Sequence, residues 1–169
     1  MFQKDDFIIY GKNGVCKVED ITEMDLSGSG NERTYYVLSP KFVNGSKLYC
    51  PVDNKNVVMR KILTEPEARQ LLKEIPKIDT IGIPNDRLRE EEYKMALRSC
   101  DCRQWIKVIK TLYSRRDDRI AHGKKVTSTD ERYLKMAEDY LYRELAVVFH
   151  KDQNEVKEYI GLDKGKMIV

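Results

Sequence analysis

His122 and His150 are the side chains of this sequence best suited to proton transfer near neutrality, and each stands where a helical pattern runs out. A cationic imidazole there complements the C-terminal end of a helix, so capping is the expected role. Neither belongs to an H-E-x-x-H metal motif. The four cysteines, Cys16, Cys50, Cys100 and Cys102, contain no C-x-x-C pair, so no structural zinc site is expected. Cys100 and Cys102 are spaced badly for a disulfide, and reduced thiols in a cytosol are the expectation. Gly28-Ser29-Gly30 lacks the lysine and following helix of a phosphate loop, and reads as a hairpin tip. Gly123-Lys124-Lys125 reads as a helix end. Glu90-Glu91-Glu92 fan around a helix and cannot face one another across a cleft. No nucleophile, base, metal site or cofactor site emerges, so the chain is not expected to be an enzyme.

Charge is more informative. The chain has 35% charged residues but a net charge of only +3. Between Asn85 and Lys125 twelve basic residues stand against seven acidic ones, so positive charge is concentrated there. Such a patch attracts phosphates without reading base sequence, although Lys and Arg also serve simply to solvate a helix. The second signal is Lys47-Leu48-Tyr49-Cys50-Pro51. A strand ending in proline suits a sheet edge, and the adjacent Leu48 and Tyr49 point to opposite faces.

The elements behind these residues fall into two groups. Alternating β-branched and aromatic residues predict strands at Phe7–Tyr10, Gly14–Ile21, Thr34–Leu38, Lys47–Cys50 and Val57–Arg60, joined by Gly- and Asn-rich turns. Short strands with tight turns imply a small, strongly bent sheet or SH3-like barrel. After Lys61 the period becomes helical. Thr64/Glu67 and Ser128/Glu131 read as capping boxes, and Asp101 and Asp152 as further N-caps. A second helix is expected from about Asn85 to Ser99, a third with an apolar stripe through Trp105, Ile109 and Leu112, and a last one ending near Gly161 before a basic tail at Lys164 and Lys166. The expected fold class is α+β, a small β-barrel over residues 1–62 followed by an all-α bundle over 63–169. The first residues lack the basic and apolar regions of a signal peptide, and no run reaches the ~20 apolar residues that span a bilayer. A cytoplasmic protein is expected, without membrane contact.

In order along the chain, Phe7-Ile8-Ile9-Tyr10, Asn13-Gly14-Val15, Val18-Glu19-Asp20-Ile21, Tyr35-Tyr36-Val37-Leu38 and Cys50-Pro51-Val52-Asp53 resemble the CarD/CdnL family of bacterial transcription regulators, in a clostridial-type form. Tyr93-Lys94-Met95-Ala96-Leu97, Val108-Ile109-Lys110-Thr111-Leu112-Tyr113 and Arg143-Glu144-Leu145-Ala146 extend the resemblance over roughly residues 1–150. It implies a Tudor-like N-terminal domain that binds the RNA polymerase β subunit. It also implies a helical domain that contacts promoter DNA, largely without sequence preference, at the upstream edge of the transcription bubble. The implied activity is stabilisation of the open complex by a monomer without cofactors.

By position, the family's polymerase contacts fall on Met24, Asp25, Leu26, Lys47, Leu48 and Tyr49. Relatives often carry arginine where this chain has Met24 and Tyr49, so a more apolar contact is implied. The family's minor-groove tryptophan has no counterpart in Thr80–Asp86, where Ile81 or Ile83 are the apolar substitutes. Trp105 belongs to a core stripe. The phosphate-contacting set transfers to Arg87, Arg89, Lys94 and Arg132, while Glu131 stands where relatives are often basic. Two readings therefore stand: a polymerase-bound regulator that contacts DNA, and a polymerase-bound adaptor that does not.

Overall fold

The computed structural model describes residues 1–162, and the basic residues Lys164 and Lys166 lie outside the described residues. The chain forms two compact units, Met1–Ile62 and a second beginning at Leu63.

The first unit is a five-stranded antiparallel sheet built from β1 (Phe7–Tyr10), β2 (Val15–Met24), β3 (Arg33–Pro40), β4 (Leu48–Pro51) and β5 (Met59–Lys61). The spatial order is β4-β3-β2-β1-β5. The register between β2 and β3 shifts between Val18 and Asp20, a bulge that bends the long β2 strand. The sheet curls until its two margins meet through side chains: Cys50 Sγ on β4 lies 3.6 Å from Met59 Sδ on β5. Inside the curl, Ile8, Cys16, Val18, Tyr36, Leu38 and Cys50 form the core, with Tyr10, Leu48 and Met59 packed against it. These are the alternate residues of each strand and form the inner face, while Ile9, Val15 and Val37 between them are buried on the other face. The expected small, bent β module is therefore present, with an α-helical unit after it. The last strand begins two residues later than its apolar pattern suggested. Asn54 Oδ1 accepts the N–H groups of Asn56 and Val57, and Asn54 Nδ2 donates to Val57 O. This side-chain turn claims the backbone of Val57 before a ladder can.

The second unit contains α1 (Glu65–Glu74), α2 (Arg89–Arg98), α3 (Cys102–Ala121), α4 (Ser128–Phe149) and α5 (Gln153–Ile160). Thr64 with Glu67, and Asp152 with Glu155, form full capping boxes. Asp101 caps α3 by accepting from Arg103 N. Two starts differ from the sequence pattern. The cap of α4 is Thr127, whose hydroxyl accepts from Asp130 N at 3.1 Å, instead of Ser128. The segment from Asn85 is first a single 3-10 turn, Asp86–Leu88, capped by the Asn85 side chain, and becomes α-helical only at Arg89. The core runs along α3 and α4, through Trp105, Ile106, Ile109, Leu112, Tyr133, Leu141 and Leu145. Glu144 is fully buried there and accepts from Leu63 N at 2.9 Å and Cys102 Sγ at 3.2 Å. A buried carboxylate needs such donors to remain in an apolar interior.

Candidate interaction surfaces

On the β unit, geometry singles out the outer margin of β4. Tyr36 pairs with Cys50 and Leu38 with Leu48, while Val52 N donates to Thr34 O at 3.1 Å. Antiparallel ladders alternate, so Leu48, Cys50 and Val52 aim their backbone groups at β3. Tyr49 therefore aims its N–H and C=O outward, and Pro51, the next outward residue, has no N–H to offer. Both facts suit a strand edge open to one added strand. The Tyr49 side chain is 43% exposed, on the face opposite buried Cys50, whereas Leu48 is packed against the core. Lys47 lies just before the strand and is exposed.

The other proposed polymerase contacts sit at the end of β2. Met24 closes that strand opposite Arg33 and is half-buried, and Leu26 is exposed in the following loop. Asp25 does something different: its carboxylate accepts from Ser27 N, Ser27 Oγ at 2.8 Å and Gly30 N at 2.7 Å. The Ser27 hydroxyl first, then these amides, hold its carboxyl below the usual value. Asp25 thus shapes the loop that presents Leu26.

On the helical unit, the phosphate-contact set is largely engaged by carboxylates. Arg89 donates to Asp86 at 2.6 Å and to Tyr93 Oη at 3.1 Å. Lys94 lies 3.0 Å from Glu91 and 3.5 Å from Glu90. Arg132 reaches Glu90 at 3.2 Å and stacks over the Tyr133 ring. Glu90 is therefore a hub. The Tyr133 hydroxyl at 2.7 Å is the main influence, followed by Lys94 and Arg132, and together they hold its carboxyl below its ordinary value. Arg87 is exposed, with no carboxylate partner among the described residues.

The apolar candidates also sort themselves. Ile81 and Ile83 are both half-buried, and Ile81 N donates to Thr111 Oγ1 at 2.8 Å. Leu88, which the sequence reading passed over, is 47% exposed in the turn that opens α2, beside Arg87. Only its exposure reveals it, since in sequence it looks like one more position of an apolar stripe. Trp105 is 1% exposed, its Nε1 donates to Leu97 O, and its ring lies 5.3 Å from Tyr140. It is core.

His122 caps α3, with Nδ1 at 2.7 Å from Asp118 O. His150 ends α4 in a left-handed conformation. All four cysteines are buried and none is in a disulfide. Burial pushes the Cys16 thiol up to about 12, which makes it a poor nucleophile. Among the described residues no three His, Cys, Asp or Glu groups converge as a metal site, and no helix is long and apolar enough to cross a membrane.

Two family models match the chain in succession. Residues 2–63 match the CarD-like/TRCF RID domain, and residues 67–161 match the CarD C-terminal domain. The matched ranges meet where the two compact units meet. No curated protein matches the chain.

Proposed function

The chain belongs to the CarD family, a non-enzymatic family of RNA polymerase-interacting transcription regulators, and from that premise we propose that it stabilises the open promoter complex. In this reading residues 1–62 bind the polymerase β subunit by the β4 margin, and residues 63–169 meet promoter DNA at the upstream edge of the bubble. The protein acts as a monomer in the cytoplasm, with no cofactor or metal. The observation that carries the polymerase half is the outward-facing backbone of Tyr49 on an edge strand, with its ring exposed. An incoming strand gains backbone hydrogen bonds there and an aromatic contact beside them.

Tethering matters for the DNA half. Once the β unit is docked, the helical unit acts at high effective concentration, so a weak phosphate contact suffices. A preference of ~1.4 kcal/mol for the open over the closed complex shifts that equilibrium about tenfold. Arg87 supplies charge at the start of α2, and Leu88 or Ile83 the apolar contact with the bubble edge. The test is the lifetime of open complexes formed by the cognate polymerase, with and without the protein. An unchanged lifetime and occupancy refutes the reading.

The adaptor reading, polymerase binding without DNA contact, is favoured by one observation: Arg89, Lys94 and Arg132 are already paired with carboxylates. Reversing the charge of Arg87, Arg89 and Lys94 separates the two, because an adaptor keeps its activity.

A further inference from the structure

The second half of α3 and the turn after it enclose an open groove of about 490 Å³ on the helical unit, lined among others by Thr80, Arg89, Ser114, Arg115, Arg119 and Lys124. We propose that this groove is the place where the helical unit takes DNA phosphodiesters, with Arg119 and Lys124 as the cations that meet them. The proposal rests on the DNA-contact reading above and adds a second set of cations, at the end of α3, to Arg87 at the start of α2.

Three observations converge on it. The first is availability. The cations at Arg89, Lys94 and Arg132 are held by carboxylates, whereas among the described residues no carboxylate pairs with Arg119 or Lys124. The second is preorganisation. Gly123 has a φ of 68°, a conformation that L side chains rarely adopt, and it folds the chain back onto α3. Lys124 N then donates to Arg119 O at 2.8 Å, while Arg119 Nε donates to Lys125 O at 2.8 Å. These two bonds tie the backbone of Lys124 and Lys125 to Arg119 and spend only the Nε of the guanidinium. The remaining guanidinium nitrogens are the pair that suits phosphate oxygens.

The third observation is the local balance. Arg89, Arg115, Arg119 and Lys124 line the groove against Asp86 and Asp118. Asp86 is engaged by Arg89 and Arg115 by Asp130, which is itself buried, so Arg119 and Lys124 stand against Asp118 alone and that end of the groove is net cationic. The Ser114 side chain adds a hydroxyl donor along the same wall. A groove open to solvent accepts a polyanionic strand lying across it, since the backbone need insert only its phosphates.

The experiment is fluorescence anisotropy of the full chain with a labelled ~20-base-pair duplex across a salt series, reading the slope of log K against log salt. Arg119→Glu with Lys124→Glu is compared with Lys55→Glu with Lys73→Glu, which makes the same change in net charge outside the groove. The groove pair should weaken binding more than about tenfold and reduce the slope by about two, because each phosphate contact contributes roughly 0.9. The control pair should change the slope by well under one. Lys124→Glu alone, at an exposed position, should reduce it by about one and covers the case in which Arg119→Glu disturbs the turn. Equal slopes for groove and control pairs overturn the groove while leaving the DNA reading intact. A wild-type chain with no affinity for the duplex at low salt overturns both.

Discussion

Replacing Tyr49 by proline asks whether the β4 margin is the docking edge. The Tyr49 N–H faces away from β3, so its loss removes no bond from the sheet, and proline is tolerated at such edge positions. Its loss does remove a donor from any strand added outside. That hydrogen bond is worth ~1 kcal/mol. A tyrosine presents roughly 200 Å², and 43% exposure leaves on the order of 90 Å² for a partner to cover. At ~25 cal/mol per Å² this amounts to about 2 kcal/mol, of which proline forfeits about half. The sum, ~2 kcal/mol, predicts a roughly thirtyfold weaker complex with the polymerase β subunit. Biolayer interferometry measures it, with thermal melting to verify an intact fold. Lys61→Pro is the matched control. Lys61 lies on the opposite margin, where Ile62 N bonds Phe7 O and leaves the Lys61 N–H outward. Both variants should melt within a few degrees of wild type. If Tyr49→Pro binds the β subunit as tightly as the parent, or if Lys61→Pro is the one that fails, the edge argument is refuted.

Other outcomes follow from the same geometry. Trp105→Ala should cost ~3–5 kcal/mol in urea denaturation followed by circular dichroism, while Trp105→Phe should leave open-complex lifetime unchanged, as a core residue and not a DNA wedge requires. Glu90→Gln should release Arg132, while Lys94 stays with Glu91, and should strengthen DNA binding and steepen its salt slope by up to about one. The Ser27 hydroxyl and then the Gly30 amide hold the folded-state pKa of Asp25 below its ordinary value. Its contribution to the loop is therefore complete above about pH 4 and is lost as pH falls through the lower, folded value. Hydrogen exchange at Gly30 N should be protected at neutral pH, accelerate in that acid window, and be unprotected throughout in Asp25→Ala.

The fold was legible because each unit has a period and marked ends. The continuous apolar runs Phe7–Tyr10 and Tyr35–Leu38 marked two strands, and the Thr64 and Asp152 boxes marked two helix starts. The errors lie where a side chain competes for backbone groups. Asn54 delays β5 by bonding Val57, and Thr127 takes the cap because its hydroxyl reaches Asp130 N. Asp130 then turns inward to Arg115, which a local capping pattern cannot foresee. Sequence marks how a segment would behave alone, and these sites are decided by neighbours.

The interaction surfaces were less legible, for a reason that concerns charge. Counting cations between Asn85 and Lys125 treats each as equally available, but a phosphate competes only for those that no carboxylate already holds. Glu90 alone engages Lys94, Arg132 and the Tyr133 hydroxyl, the last two 42 and 43 residues away along the chain. No spacing rule along one helix links positions so distant, and so Arg132 looked available in sequence. Arg119 and Lys124 carry the opposite lesson. Gly123-Lys124-Lys125 read as a helix end, yet the Gly123 turn and the bonds from Lys124 N to Arg119 O and from Arg119 Nε to Lys125 O tie this segment to Arg119. Net charge therefore predicts attraction to DNA at long range, whereas the strength of the docked contact depends on which cations have been left unmatched. Glu90→Gln and Lys124→Glu change net charge by the same order and in opposite directions. If DNA affinity followed net charge alone, their effects would mirror those of equal changes at Glu155 and Lys73. Larger effects at Glu90 and Lys124 than at those distant positions would establish that pairing, not the count, governs binding.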